Sequence, residues 1–328
     1  MTKTTRYQNR LPFIILFLLT SINTVSAHNQ ASSNYKMSKD VMSNGGNQAN
    51  SLNYQRLSTI GQPAIRRNIS NNAILQSGFH HPSVSPATCQ IYAVNDEGLN
   101  NSQFFTINID DLTITELGQL YEEHDIEALA IHPKTNMIYA ASGDNVKNGN
   151  KGNFYAVDGK TGQLVPVGST GFNEIEDLAF SPDGTLWAWA KGDGLITINP
   201  TTGTGNLIIP PNASDVLVEG LTLSKDADDH TVFYGSVNTE LWRYNMDTNT
   251  LDVPCTNLFG ETEALEMVSD GLKILPAGFL LVGTHNVPFG LHAFNPENCE
   301  VIIADETLTN KFKDVEGIAL PVEACAKE

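Results

Sequence analysis

From residue 87 onward, short apolar runs alternate with clusters of Gly, Asn, Asp and Pro. That pattern predicts strands joined by turns. Five segments align without gaps over their first five positions: "IEALAIHP" (126–133), "IEDLAFSPDG" (175–184), "VEGLTLSKD" (218–226), "TEALEMVSDG" (262–271) and "VEGIALP" (315–321). Each has Glu second, a small or acidic residue third, and Leu or Ile fourth. The glutamates are Glu127, Glu176, Glu219, Glu263 and Glu316, spaced by 49, 43, 44 and 53 residues.

Each of the first four segments leads into three further strand-like runs. The second are "MIYAAS", "TLWAWA", "TVFYGSV" and "FLLVGTH"; the third are "NFYAVD", "GLITIN", "LWRYN" and "LHAFN"; the fourth are "LVPVG", "NLIIP", "LDVP" and "EVII". Four strands recurring at about 45 residues is the signature of a β-propeller blade. A ring of such sheets leaves fewer exposed edges than an open stack. The fifth segment, "VEGIALP", has no strands after it, whereas "QIYAVND", "FFTINID" and "TITELG" (within 90–118) read as strands two to four of a blade lacking its first. The two pieces complete each other. The expectation is an all-β, five-bladed propeller over 87–328 in which N- and C-terminal strands share one blade.

Four cysteines fit that closure. Cys89 precedes the first strand of the N-terminal piece and Cys325 follows the C-terminal strand, so a Cys89–Cys325 bridge is expected. Cys255 and Cys299 pair by elimination. An even cysteine count suits an exported chain. Residues 1–27 carry Lys3, Arg6 and Arg10, then "LPFIILFLL", then "VSA", the form of a signal peptide cut after Ala27. No later apolar run approaches the ~20 residues of a membrane span. The expected location is secreted or periplasmic. Residues 28–86 form an Asn/Ser-rich segment with Asp40 its only acid, either a few short strands or a segment of low order.

The chain has 37 acidic against 19 basic residues, a net charge of −18. This repels nucleic-acid backbones and anionic membranes and favours cations. In a propeller the first strands line the axis, so the five glutamates gather near one mouth. Period-two alternation adds the residues two before them: Asp125, Glu174, Leu217, Glu261 and Asp314. Two carboxylates about 8 Å apart repel by about 2 kcal/mol at an effective dielectric near 20. Relief comes from raised pKa values, from backbone N–H donors, or from a bound cation, for which Ca²⁺ suits an all-oxygen set. Two readings stay open: glutamates that cap strands, and glutamates that ligate an ion. Above them the loops between second and third strands place Asp96, Asp144, Asp193, Asn238 and His285 on a rim suited to a ligand. Trp187 and Trp189 share a strand face and are expected to pack between blades.

The segments "EALAIHP", "EGLTLS" and "VEGIALP" resemble exported bacterial β-propeller repeat proteins of the lactonase-like superfamily. The glutamate ring is similar in kind to that of the five-bladed calcium-activated nucleotidases, which implies an axial calcium. The rim carries only Lys147, Lys151 and Lys191 and no arginine, which argues against holding nucleotide phosphates. The functional expectation is a binding module with an axial Ca²⁺ and a polar rim facing an unidentified protein or glycan. The alternatives are a Ca²⁺-dependent hydrolase of a phosphoester, lactone or glycan, and a scaffold with no ligand site.

Overall fold

The computed structural model describes the backbone of short strands between 30 and 77, and residues 84–321 apart from 99, 211–217, 227, 273–274 and 286. The expected leader (1–27) and the expected Cys89–Cys325 bridge lie outside the described residues. Two compact units divide at His80/His81. The first holds an antiparallel sheet of β1 (Gln30–Ser32), β2 (Tyr35–Val41), β3 (Gly46–Ser51) and β4 (Tyr54–Ser58), and a hairpin of β5 (Arg66–Ser70) and β6 (Ala73–Ser77).

The second unit is a five-bladed β-propeller. Blade 1 is β10 (Ile126–Ile131), β11 (Ile138–Ser142), β12 (Asn153–Val157) and β13 (Leu164–Ser169). Blade 2 is β14 (Ile175–Phe180), β15 (Leu186–Ala190), β16 (Gly194–Ile198) and β17 (Gly205–Ile209). Blade 3 is β18 (Val218–Lys225), β19 (Thr231–Val237), β20 (Glu240–Asn245) and β21 (Thr250–Thr256). Blade 4 is β22 (Thr262–Val268), β23 (Phe279–Thr284), β24 (Phe289–Phe294) and β25 (Val301–Thr309). The closing blade runs β26 (Val315–Ala319), β7 (Gln90–Asp96), β8 (Ser102–Asn108), β9 (Ile114–Tyr121).

Burial explains why the strands read as continuous apolar runs. Each sheet is covered on both faces, so successive residues enter different cores. In β7, Ile91 and Ala93 pack toward blade 4 with Leu281 and Phe289, while Tyr92 and Val94 pack toward blade 1 with Ile126 and Tyr155. Further apolar clusters fill the interfaces of blades 1 and 2, 2 and 3, and 3 and 4. Trp187 meets Phe233 edge-on at 5.0 Å, and Trp189 packs in the same interface beside an apolar cavity of about 210 Å³.

Polar staples supplement the packing. Asn95 Oδ1 accepts the backbone N–H groups of Lys313 and Asp314, at 2.9 and 3.0 Å, anchoring the incoming β26. Asp177 is 1 % exposed and stands where other repeats have Ala or Gly. Its carboxylate accepts N–H bonds from Leu178 (2.8 Å), Leu221 (2.7 Å) and Leu265 (3.5 Å), tying the inner strands of three blades. The expected Cys255–Cys299 disulfide joins the outer strand of blade 3 to the turn before that of blade 4, with Cα atoms 5.7 Å apart.

Asp177→Ala strands those N–H groups in a dry core. It should cost about 2–4 kcal/mol in urea unfolding, as expected for several buried donors left unpaired. A loss below about 0.5 kcal/mol, the range of ordinary surface changes, would show that apolar packing alone holds the axis.

Candidate functional site

Each repeated glutamate sits on a β-bulge. In β10 the register passes from Ile126↔Ser142 to Ala128↔Ala141, leaving Glu127 as the extra residue. Glu176, Glu263 and Glu316 occupy the same place in β14, β22 and β26. In β18 the shift falls between Val218 and Leu221, around Glu219. A bulge unpairs one residue and re-aims its side chain. The repeat thus frees five carboxylates from the ladder at one end of the inner strands.

The five feel one another consecutively round the ring. Burial, the largest effect, raises Glu127, and the charges of Glu176 and Glu316 add to it. Burial likewise raises Glu263 far above its ordinary value, with Glu316, Asp314 and Glu219 contributing. Glu316 is raised by burial and then by Asp314 and Asp96. Glu176 goes up to about 8 because burial outweighs the neighbouring Lys191, with Glu219 adding repulsion. Glu219 is raised by burial and by Glu261.

What differs is the group beside each glutamate. Immediately after each second strand stand Gly143, Lys191, Asn238 and His285, and in the closing blade β7 ends at Asp96. A Cβ at Gly143 would collide with the Glu127 carboxylate, so glycine leaves room for it. Lys191 Nζ lies 2.8 Å from Glu176 Oε1 and 2.9 Å from Glu174 Oε1. His285 Nδ1 lies 2.9 Å from Glu263 Oε1 and 2.5 Å from Asp314 Oδ1. Asp96 is raised to about 6 by burial, with the charges of Asp314 and Asp125 adding.

Two donor groups result. Glu263, His285, Asp314 and Glu316 each offer one atom, all within 4.8 Å of one another, and so do Glu127, Glu174 and Glu176. Either set could hold a metal ion. Glu219 belongs to neither, and its Oε2 is shielded without a hydrogen-bond partner.

The remaining sequence candidates are placed as follows. Asp144 pairs with Lys151 at 3.3 Å, and Lys147 pairs with Glu123, so neither lysine is unpaired on the rim. Asp193 and Asn238 are exposed turn residues, Asn238 with a positive φ of 53°. The alternation that grouped Asp125, Glu174, Glu261 and Asp314 with the repeated glutamates is met in part. Asp125 has φ 51° and its carboxylate accepts the Asn145 N–H at 2.7 Å; Glu261 is exposed and offers its backbone carbonyl to His285 N–H. Of the four, Glu174 and Asp314 join the donor groups, and Leu217 lies outside the described residues. Lys191 was legible only as a rim lysine; its pairing with Glu176 follows from the bulge register.

No protein-family model matches this chain, and no curated protein matches it. Among solved structures, a chain of a nidogen/laminin complex is similar at a TM-score of 0.48 and 11 % identity, covering 72 % of this chain and 100 % of that one. A protein of unknown function from Bacteroides thetaiotaomicron gives 0.46 and 12 %, covering 89 % and 82 %. One from Bacteroides caccae gives 0.43 and 13 %, covering 71 % and 98 %. Likenesses this distant carry no argument about function. Among the described residues no helix is long and apolar enough to cross a membrane.

The raised glutamates make stability depend on pH in a defined direction. A carboxyl raised in the fold contributes stability that is fully present below its unfolded value near 4.5 and is lost as pH rises toward the folded value, about 8 for Glu176. With chelator present, the thermal midpoint should fall from about pH 5 to about pH 9, and less steeply in Glu127→Gln. A midpoint that rises over this range would contradict the burial of the ring.

Proposed function

We propose that this chain is an exported propeller whose axial mouth holds a divalent cation and presents a polar rim to a protein or glycan. The observation that carries the reading is the convergence of Glu263, His285, Asp314 and Glu316 donors within 4.8 Å. Among the described residues no lysine or arginine pairs with these four, so their charge has no internal partner beyond one imidazole. Calcium is the ion that five glutamates alone would favour. In this reading residues 1–27 are the leader, 28–86 precede the working domain, and 87–328 form it. The Cys255–Cys299 disulfide supports an oxidising compartment. The rim offers Asp96, Asp144, Asp193 and Asn238 above the ion.

A second reading, a metal-dependent hydrolase of a phosphoester, lactone or glycan, is favoured by one observation. Asp96, raised to about 6 beside the acidic mouth, has a pKa suited to general-base work near neutrality.

Chelation followed by cation addition tests the proposal. An ion at 100 times its dissociation constant stabilises by about 2.7 kcal/mol. At roughly 2–4 °C per kcal/mol for a domain of this size, the midpoint should rise by about 5–10 °C over the chelated chain. An unchanged midpoint across divalent ions would remove the cation from the account. Turnover of a phosphoester, lactone or glycoside that is lost in Asp96→Asn would favour the hydrolase.

A further inference from the structure

Four side chains meet where blade 4 joins the closing blade. Glu263 stands on the bulge of β22, His285 follows β23, Asp314 precedes β26, and Glu316 stands on the bulge of β26. His285 Nδ1 approaches Glu263 Oε1 at 2.9 Å and Asp314 Oδ1 at 2.5 Å. Yet Nδ1, Asp314 Oδ1 and Glu263 Oε2 are all shielded from solvent and Nδ1 has no aligned hydrogen-bond partner, while the Glu263 and Asp314 carboxyls are near enough to share a proton in the ion-free fold. An imidazole held by proton sharing would direct one N–H at one oxygen in line. Here one imidazole nitrogen and three carboxylate oxygens instead crowd within 4.8 Å of one another, close enough to share one ion.

The donor set is one nitrogen and three oxygens. Hard ions such as Ca²⁺ and Mg²⁺ take oxygen, whereas imidazole suits borderline transition ions. Zn²⁺ binds His nitrogen and carboxylate oxygen at about 2.0–2.2 Å in a tetrahedron, which puts neighbouring donors roughly 3.4 Å apart. The four donors here all lie within 4.8 Å of one another, with His285 Nδ1 2.9 Å from Glu263 Oε1, a scale that fits such a site. Four side chains satisfy tetrahedral zinc, whereas calcium needs six to eight oxygens.

The other half of the mouth differs. Lys191 bridges Glu174 and Glu176 at 2.9 and 2.8 Å and supplies a cation from the chain itself. Among the described residues the ring therefore has Lys191 as a resident positive charge and one place for an external one.

We infer that Glu263, His285, Asp314 and Glu316 form a selective site for a single borderline transition ion of the Zn²⁺ type, with Lys191 standing in for a second ion beside Glu127, Glu174 and Glu176. This rests on the cation reading above and narrows it to a metal class.

The test is titration of the chelator-stripped full chain with Zn²⁺, Co²⁺ and Ca²⁺, read by elemental analysis, calorimetry and the visible absorption of Co²⁺. One equivalent of Zn²⁺ should bind, undisplaced by millimolar Ca²⁺, and Co²⁺ should show the intense visible bands of a tetrahedral site. His285→Gln should weaken Zn²⁺ at least about tenfold, since even groups behind a ligand are worth 10–100-fold. His230→Gln, at a half-buried histidine paired with Asp226 on a turn of blade 3, should leave binding unchanged. Lys191→Met should keep the first equivalent and add a second, weaker one. Circular dichroism of each variant separates a lost ligand from a lost fold. Ca²⁺ binding without Zn²⁺ would overturn the metal class and leave the cation reading standing. No ion bound would overturn both. Zn²⁺ binding equally tight in folded His285→Gln would overturn the site.

Discussion

The ladder between β26 and β7 joins the two ends of the propeller, and Asn95 secures it across 218 residues to Lys313. Without it, the cluster containing Phe105, Phe289 and Phe312, which joins the closing blade to blade 4, would lose one of its two walls. The same pairing brings Asp314 and Glu316 to Glu263 and His285. Closing the ring and assembling the four-donor group are thus one event, and the entropy cost of such a distant contact is offset by the apolar interfaces on either side of the closing blade.

Closure also concentrates like charge, and the chain relieves it in different ways around one circle. Glu127 is accommodated by the missing side chain of Gly143. Glu176 and Glu174 share Lys191. Among the described residues, Glu263, Asp314 and Glu316 have only His285 beside them, three carboxylates against at most one positive charge. The repeat supplies an identical carboxylate in every blade, and the residue after each second strand decides what that carboxylate does. A propeller built this way has a symmetric frame and an asymmetric mouth.

Much of the fold was legible because inner strands repeat a short motif whose apolar residues enter two cores at once. The composite blade followed from counting strands, and Cys255–Cys299 from elimination. The bulges were hidden, since the apolar pattern runs on past each glutamate without a break. That concealment had a consequence. Loop position singled out Asp144 and Asp193 as rim residues, while the residues beside Glu127 and Glu176 are Gly143 and Lys191, which only the bulged register reveals. His285 was found because the loop after β23 begins with it. Asp177 gave a signal, an acid where the repeat has Ala or Gly, but only the geometry shows it tying three inner strands. For residues 28–86, composition alone left strand and low order undecided, because few large apolar side chains mark a face.

Anomalous diffraction from crystals grown with Zn²⁺, collected on both sides of the zinc edge, addresses the central claim without relying on stability or turnover. The account predicts one peak per chain, enclosed by Glu263, His285, Asp314 and Glu316, with Lys191 still bridging Glu174 and Glu176. A peak centred on the axis among all five glutamates, or none at the mouth, would contradict it.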